Sequence, residues 1–557
     1  MPKSLIGVRP YILLGLLCLA FYLPGLGMLP PVDRDEARFA QATRQMAQSG
    51  NYINIQFQNT PRHKKPGGIY WLQAASLKAF GEVDANRIWP YRLPSILGAI
   101  LAVWLSFALG CVLFERRVAF LGAALLASSV LLVVEAHLAK TDAMLLATVV
   151  AAQYALARIF MAAREGRETG WGEALLFWGA LGASGLIKGP VGPMVALLTL
   201  GGLWLSNRRM GLLRRLKPLV GIPLTLAIVA PWLIAIMAAT GGSFVGDAVR
   251  SDLLPKLISG QESHGFPPGY FLLLMTATLW PASFFVWHGL VWAWRNRREA
   301  PVAFCILWVV PSWIVFELVP TKLPHYILPL YPALALIAAR AAFALSEGGI
   351  IRYRSWDSRF ALFAFAGIAL AIAGGLVALP IVLDGRFDPV SLIPLVAAAS
   401  VAVYALKRAF ERRMVAGLSA AIFGAAIILG SSNQWILPRI DALWLSRSVN
   451  MMVERSRGGV ERVRAGRPTR PVVAAAGYHE PSLVFMLGRP TKLTKAEDVA
   501  QLMRKDSSIL GLIAAENEAP FRRALAGTAV RAIGTARGFN YSKGRWVALT
   551  LYQSVVR

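Results

Sequence analysis

Asp33-Arg34-Asp35-Glu36-Ala37-Arg38 follows directly on an apolar stretch at about 10–30. Three carboxylates and two guanidiniums therefore sit where a helix of membrane-crossing length ends. Charge clustered at a bilayer surface is costly unless it is used, and its usual use is to handle a polar substrate there. Further along the same loop comes Arg62-His63-Lys64-Lys65-Pro66, a second dense polar cluster. Together they point to a membrane protein whose chemistry lies at one surface.

The rest of the chain bears out the membrane half of that reading. Of its 557 residues 56% are hydrophobic and 16% charged, too apolar for an ordinary soluble protein of this length. Stretches of about 20 apolar residues, enough to cross a hydrocarbon core of roughly 30 Å, recur throughout. Thirteen spans are expected, at about 10–30, 92–114, 118–136, 141–163, 173–187, 189–206, 218–239, 269–293, 301–319, 324–345, 359–383, 390–407 and 416–436. Lys3 and Arg9 precede the first, which reads as an uncleaved signal-anchor. The fold class is thus a polytopic α-helical membrane protein.

A net charge of +28 would suggest nucleic acid in a soluble protein. Here it is absorbed by loops on one side. With the N-terminus in the cytoplasm, every inner loop is basic: Arg116 and Arg117; Arg164 and Arg167; Arg208, Arg209, Arg214, Arg215 and Lys217; Arg295, Arg297 and Arg298; Arg352, Arg354 and Arg359; Lys407, Arg408, Arg412 and Arg413. That is the positive-inside pattern, and it calls for no nucleic acid partner. Cys18, Cys111 and Cys305 all fall in apolar spans, suited neither to a disulfide nor to a metal cage.

An odd number of spans leaves the C-terminus outside. Residues 1–439 form the membrane unit, with 31–91 a long first outer loop, and 440–557 a small outer α/β domain. Strands are expected at Pro471–Ala475, Ser482–Leu487 and Trp546–Leu551, and helices near 495–505 and 517–526. Within the first loop, Phe39, Ala42 and Met46 have the spacing of a helix lying on the membrane. Trp232, Trp280, Trp292 and Trp294 read as interface belts.

The outer face collects the unusual polar residues: Asp35, Glu36, Lys65, Tyr70, His137, Lys140, Asp142, Lys188, Lys322, His325 and Tyr326. Carboxylates supply a base, and lysines and arginines supply phosphate sites. Taken singly, each has a plainer explanation. Asp142 can be a helix cap, Lys188 a snorkelling anchor, and His137, His264, His325 and His479 structural histidines. Their convergence on one surface favours transfer from a phosphate-bearing donor. Asp35, Glu36 and Asp142 are the candidate catalytic acids; Tyr70, Lys322 and His325 are expected to line the substrate cavity.

Six motifs occur in order: Asp35-Glu36-Ala37-Arg38-Phe39-Ala40, Lys65-Pro66-Gly67-Gly68-Ile69-Tyr70-Trp71-Leu72, Arg92-Leu93-Pro94-Ser95, Thr141-Asp142-Ala143-Met144-Leu145, Ile187-Lys188-Gly189-Pro190 and Lys322-Leu323-Pro324-His325-Tyr326-Ile327-Leu328-Pro329. As a set they resemble the GT-C glycosyltransferases that use polyprenyl-phosphate sugars. The bacterial lipid A aminoarabinose transferases, kin of the protein O-mannosyltransferases, are the nearest group. The likeness extends weakly to Gly477-Tyr478-His479-Glu480-Pro481-Ser482.

The resemblance implies an inverting transferase of the bacterial inner membrane. Its donor is an undecaprenyl-phosphate sugar, its acceptor lipid A or another glycan or protein, its surroundings membrane lipids, and its state a monomer. Asp35 matches the favoured catalytic carboxylate, Asp142 a second acid, and Lys65 the lysine that holds the donor phosphate, helped by Arg38, Lys188 and Tyr326. Lys64 stands where the family often has an acid, and Gly67 where it has a second proline. No cofactor and no metal ligand is assigned; fixed cations can do the work of a divalent metal, whose involvement stays open. The rival reading is a transporter or flippase of lipid-linked sugars. It would more often show repeated halves and broken helices at the bilayer midplane, and no repeat is found.

Overall fold

The computed structural model describes residues 7–247, 265–347, 356–411, 413–457, 463–464, 467–468 and 471–555. Lys3, His264, Arg352, Arg354 and Arg412 lie outside these. Among the described residues eight helices are long and apolar enough to cross a membrane, or nine if a bent pair is one span. The chain begins with α1 (Arg9–Tyr22), α2 (Asp35–Ser49), α3 (Gly68–Phe80), α4 (Trp89–Leu113), α5 (Arg116–Ser128), α6 (Val130–Ala136), α7 (Asp142–Arg164) and α8 (Trp171–Lys188). The bent pair is α5 and α6, set at 59°. Helices at Val191–Ser206, Pro218–Ala239, Ala300–Leu318, Tyr331–Ser346, Trp356–Asp384, Leu392–Phe410 and Met414–Ser431 complete the apolar part. The stretch expected as one span at 269–293 is instead two helices, Tyr270–Thr278 and Ser283–Arg295. The first span is helical over only 14 residues.

Small residues let these helices approach closely, as packing in lipid requires. A Cβ on Gly98 of α4 would lie 2.7 Å from the Met144 backbone of α7, and one on Gly68 would lie 2.7 Å from the Leu186 carbonyl of α8. The first contact draws the start of α7 against α4. The second draws the end of α8 against the first loop. Trp232 and Trp280 are buried rather than belted at an interface; Trp232 lies against Gly67, just after Lys65.

The first-loop helix is not laid on the membrane. From Glu36 to Met46 every α2 side chain except the half-buried Arg38 is buried, Gln41, Arg44 and Gln45 included. The cover is a short helix, Pro481–Leu487, from the far end of the chain. Arg44 donates to the Phe485 carbonyl at 2.9 Å and to the Ala85 carbonyl at 3.0 Å. An amphipathic pattern marks a face to be covered, and protein covers it here.

Residues 473–554 carry a five-stranded mixed sheet, in order Lys492–Leu493, Val473–Ala476, Leu510–Ala514, Arg545–Ser554, Val530–Asn540. The first two pairings are parallel and the last two antiparallel, with Leu512 opposite Leu551. The helices Ala496–Lys505 and Glu518–Ala524 fall where the pattern placed them. Ser482–Leu487, expected as a strand, is helix. Short apolar runs do not distinguish the two by period; Pro481 fits a first helical turn, and all seven residues are buried.

Candidate active site

Asp35 opens α2 because Arg34 before it turns the chain sharply, with φ at +66°. That left-handed backbone is unfavourable for a side-chain-bearing residue. It is held from outside: Arg34 donates to the Ser542 carbonyl, and the Asp33 N–H donates to the Tyr541 hydroxyl at 2.8 Å. Asp35 keeps 54% of its side-chain surface accessible and faces Arg62 at 3.8 Å. Burial by the surrounding walls pushes its carboxyl up, but Arg62, Lys140, Lys65 and Arg38 outweigh this and hold it below the usual carboxylate range. Asp35 is therefore an ionised, half-exposed carboxylate with cations around it. Tyr70 is buried and accepts from Arg62 Nε at 3.0 Å, and the Arg62 guanidinium lies 4.9 Å from the Phe39 ring centre. Tyr70 thus positions Arg62 rather than lining the cavity openly.

A second cluster forms where α6, α7, α8 and the turn at Pro324–Leu330 meet. Asp142 accepts from Lys188 and lies 3.6 Å from Lys140 Nζ and 3.8 Å from His325 Nε2. Lys140 Nζ also lies 2.9 Å from Glu135 and 3.3 Å from His325 Nδ1. Burial works against the Lys140 charge, yet Glu135 and Asp142 raise its pKa above the usual lysine range. The Tyr326 ring centre is 5.7 Å from Lys188 Nζ. Lys65, half-buried, acts electrostatically on both Asp35 and His325. It sits between the two clusters.

Three expected site residues stand elsewhere. Glu36 is held in a closed pair with Arg92, which donates from Nε at 2.8 Å and from Nη2 at 2.9 Å. The Val32 and Ala139 N–H groups donate to the same carboxylate, each at 2.8 Å. With both oxygens occupied and the side chain buried, Glu36 ties the first loop to α4. Lys322 is buried, and its ammonium donates to the Glu317 and Val319 carbonyls at 2.7 and 2.8 Å. It closes its own turn. Arg38 faces a cleft of about 570 Å³ that it shares with His479, Lys495 and Lys543 of the C-terminal sheet region.

Glu135 was not singled out in the sequence, because it lies inside the apolar run 118–136. A lone acid in such a run is itself a signal. Its Oε2 is buried without a hydrogen-bond partner. Arg62 and Arg92 likewise gain their roles only from partners distant in sequence. Among the described residues no three His, Cys, Asp or Glu side chains converge as a metal cage.

This fold is shared with solved structures of ArnT and of an archaeal oligosaccharyltransferase. It superposes on the crystal structure of ArnT from Cupriavidus metallidurans bound to undecaprenyl phosphate with a TM-score of 0.72, at 19% identity over 98% of each chain. It superposes on the archaeal oligosaccharyltransferase AglB from Archaeoglobus fulgidus with a TM-score of 0.53, at 10% identity over 97% of this chain and 73% of that one. Residues 64–234 match a family described as dolichyl-phosphate-mannose-protein mannosyltransferase. In sequence the chain is similar to undecaprenyl phosphate-alpha-4-amino-4-deoxy-L-arabinose arabinosyl transferases. It is 26% identical to that of Pectobacterium carotovorum over 70% of this chain and 68% of the relative. It is 29% identical to one from Pseudomonas fluorescens over 59% of each. The matches thus span about three fifths to two thirds of these relatives. The chain resembles the polyprenyl-phosphate-sugar glycosyltransferases, the aminoarabinosyl transferases in particular.

Proposed function

We propose that the chain is an inverting glycosyltransferase of the bacterial inner membrane. It moves a sugar of the 4-amino-4-deoxy-L-arabinose type from undecaprenyl phosphate to lipid A at the periplasmic face. The observation that carries this reading is Asp35, ionised and half-exposed, with Lys65, Arg62 and Lys140 acting on it. The cations stabilise the negative charge that builds on the departing polyprenyl phosphate. Lys65 takes the phosphate, with Lys188 and Tyr326 behind it. Asp35 is a weak base because its pKa is lowered, so it holds the Arg62 cation in place for an acceptor rather than stripping that acceptor of a proton. That suits a phosphate oxygen as nucleophile, which is already anionic. Direct displacement inverts the anomeric carbon.

In this reading thirteen spans run from a cytoplasmic N-terminus, residues 1–439 form the catalytic membrane unit, and residues 440–557 fold in the periplasm. The protein acts as a monomer. A flippase of lipid-linked sugars would not need an open ionised carboxylate beside a phosphate site. The test is Asp35→Asn, purified in nanodiscs with undecaprenyl-phosphate aminoarabinose and lipid A. The expected loss is about 10²-fold in turnover, through misplacement of the acceptor, with normal insertion. Near-normal turnover overturns the assignment.

A further inference from the structure

A second built cavity lies at the membrane end of the C-terminal half. The turn after the helix Trp356–Asp384, the π-helical turn Ser432–Ile436 and the chain leading to the sheet enclose a cleft of about 630 Å³. Its charged lining is Arg386, Arg439 and Arg447 with Asp388 and Asp441. Through Gln434 and Trp435 it adjoins an apolar groove of about 500 Å³, lined by Ile393, Ala426 and Ile427 among others. The junction is fixed from the end of the first apolar stretch: the Gly25 N–H donates to Gln434 Oε1 at 2.6 Å, and a Cβ on Gly25 would lie 2.4 Å from the Asn433 carbonyl. Wide π turns of this kind are uncommon and tend to mark functional positions.

The charges here are both signs side by side. Arg447 donates to Asp441 Oδ1 at 2.9 Å, while the other pairs are looser: Arg386 stands 3.5 Å from Asp384 and 3.9 Å from Asp441, and Arg439 3.6 Å from Asp388. Arg386, Arg439 and Asp441 keep 57, 52 and 63% of their side-chain surface. Trp435 and Phe387 are also partly exposed. Such a set matches a headgroup that carries both a phosphate and an ammonium, and the groove matches its acyl chain.

The geometry points to a binding site for one ethanolamine phospholipid. The phosphate lies between Arg386 and Arg439. The primary ammonium donates to Asp441 and lies over the Trp435 face. One acyl chain enters the groove between Ile393 and Ile427. A purely anionic headgroup meets Asp388 and Asp441, and a choline headgroup has no N–H to donate. Such a lipid pins the segment that leads into the C-terminal sheet to the bilayer.

The test is native mass spectrometry of the full chain in detergent, exchanged against equimolar phosphatidylethanolamine, phosphatidylglycerol and phosphatidylcholine with matched acyl chains. One phosphatidylethanolamine should be retained in preference to the others. Arg386→Glu with Arg439→Glu should weaken that retention roughly tenfold, the equivalent of one charge-assisted hydrogen bond. Asp441→Asn should erase the preference over phosphatidylglycerol. Ala426→Phe fills the groove from the other side of the site and should also release the lipid. Soluble phosphoethanolamine at the same concentration should not displace it. Equal retention of all three lipids, preference for phosphatidylglycerol, displacement by the soluble headgroup, or unchanged retention in the arginine and groove variants overturns the site. Sugar transfer does not enter the readout, so the outcome is independent of the proposed activity.

Discussion

Glu36→Gln separates architecture from chemistry at neighbouring positions. The Glu36 carboxylate accepts four hydrogen bonds, two from Arg92 and two from backbone N–H groups. Arg92 is itself wholly buried and also donates to the Leu26, Leu29 and Pro30 carbonyls. A glutamine amide turns one acceptor into a donor facing Arg92 or the Val32 N–H, and it leaves the guanidinium charge without a counter-ion. Charge-assisted hydrogen bonds contribute about 1.5–3 kcal/mol each, but they do not add when they share one group. Removing one partner of a buried pair costs about 3–5 kcal/mol as a whole. The assay is fluorescence-detected size exclusion after a heat series, run beside donor-dependent transfer. Glu36→Gln should lower the temperature at which the monodisperse peak is lost. Asp35→Asn should leave that temperature alone and abolish transfer. Adding Arg92→Met to Glu36→Gln should recover part of the loss, because it removes the stranded charge. Wild-type heat resistance in Glu36→Gln, combined with lost transfer, refutes the structural assignment and returns Glu36 to catalysis.

Asp33 accepts from the Ser482 N–H at 3.2 Å, and burial pushes its carboxyl up to about 7 against the pull of that contact. Because its folded pKa lies above the unfolded value, its contribution to docking is fully present below about pH 4 and is lost as pH rises through about 7. Hydrogen exchange in residues 477–487 should therefore show an acceleration between about pH 4 and 7 beyond the intrinsic rise of exchange with pH, and Asp33→Asn should flatten that excess. In donor titrations, Lys65→Ala should raise the donor requirement and lower transfer, whereas Lys64→Ala, at an exposed position, should do little; the reverse order would shift the phosphate site by one residue. Glu135→Gln removes the 2.9 Å partner of Lys140 and should lower kcat up to roughly hundredfold through misplacement of that lysine, with donor KM little changed. A rise in KM alone would place Glu135 in donor binding instead.

The membrane class was legible in the chain because it rests on local properties: apolar runs of crossing length and basic residues gathered in alternate loops need no knowledge of contacts. The importance of the first loop was legible for the same reason, since dense charge beside an apolar span is unusual wherever the chain goes next. The gathering of Asp142, Lys188 and His325 was also foreseeable, because each flanks a span expected to end on the outer side. What the sequence does not carry is direction. Asp35 and Glu36 are chemically alike and adjacent, yet successive residues on a helix point about 100° apart. One therefore stays half-exposed beside Arg62 and the other meets Arg92. Lys322 and Lys65 both follow the family pattern, but only the packing shows that Lys322 spends its donors on its own turn. The cover on α2 and the helix at Pro481–Leu487 depend on each other across more than 400 residues of chain, and Glu135 matters only because α6 bends toward Lys140. Periodicity and composition fix which residues are buried or charged; which charges remain unspent is decided by the partners that the tertiary structure brings to them.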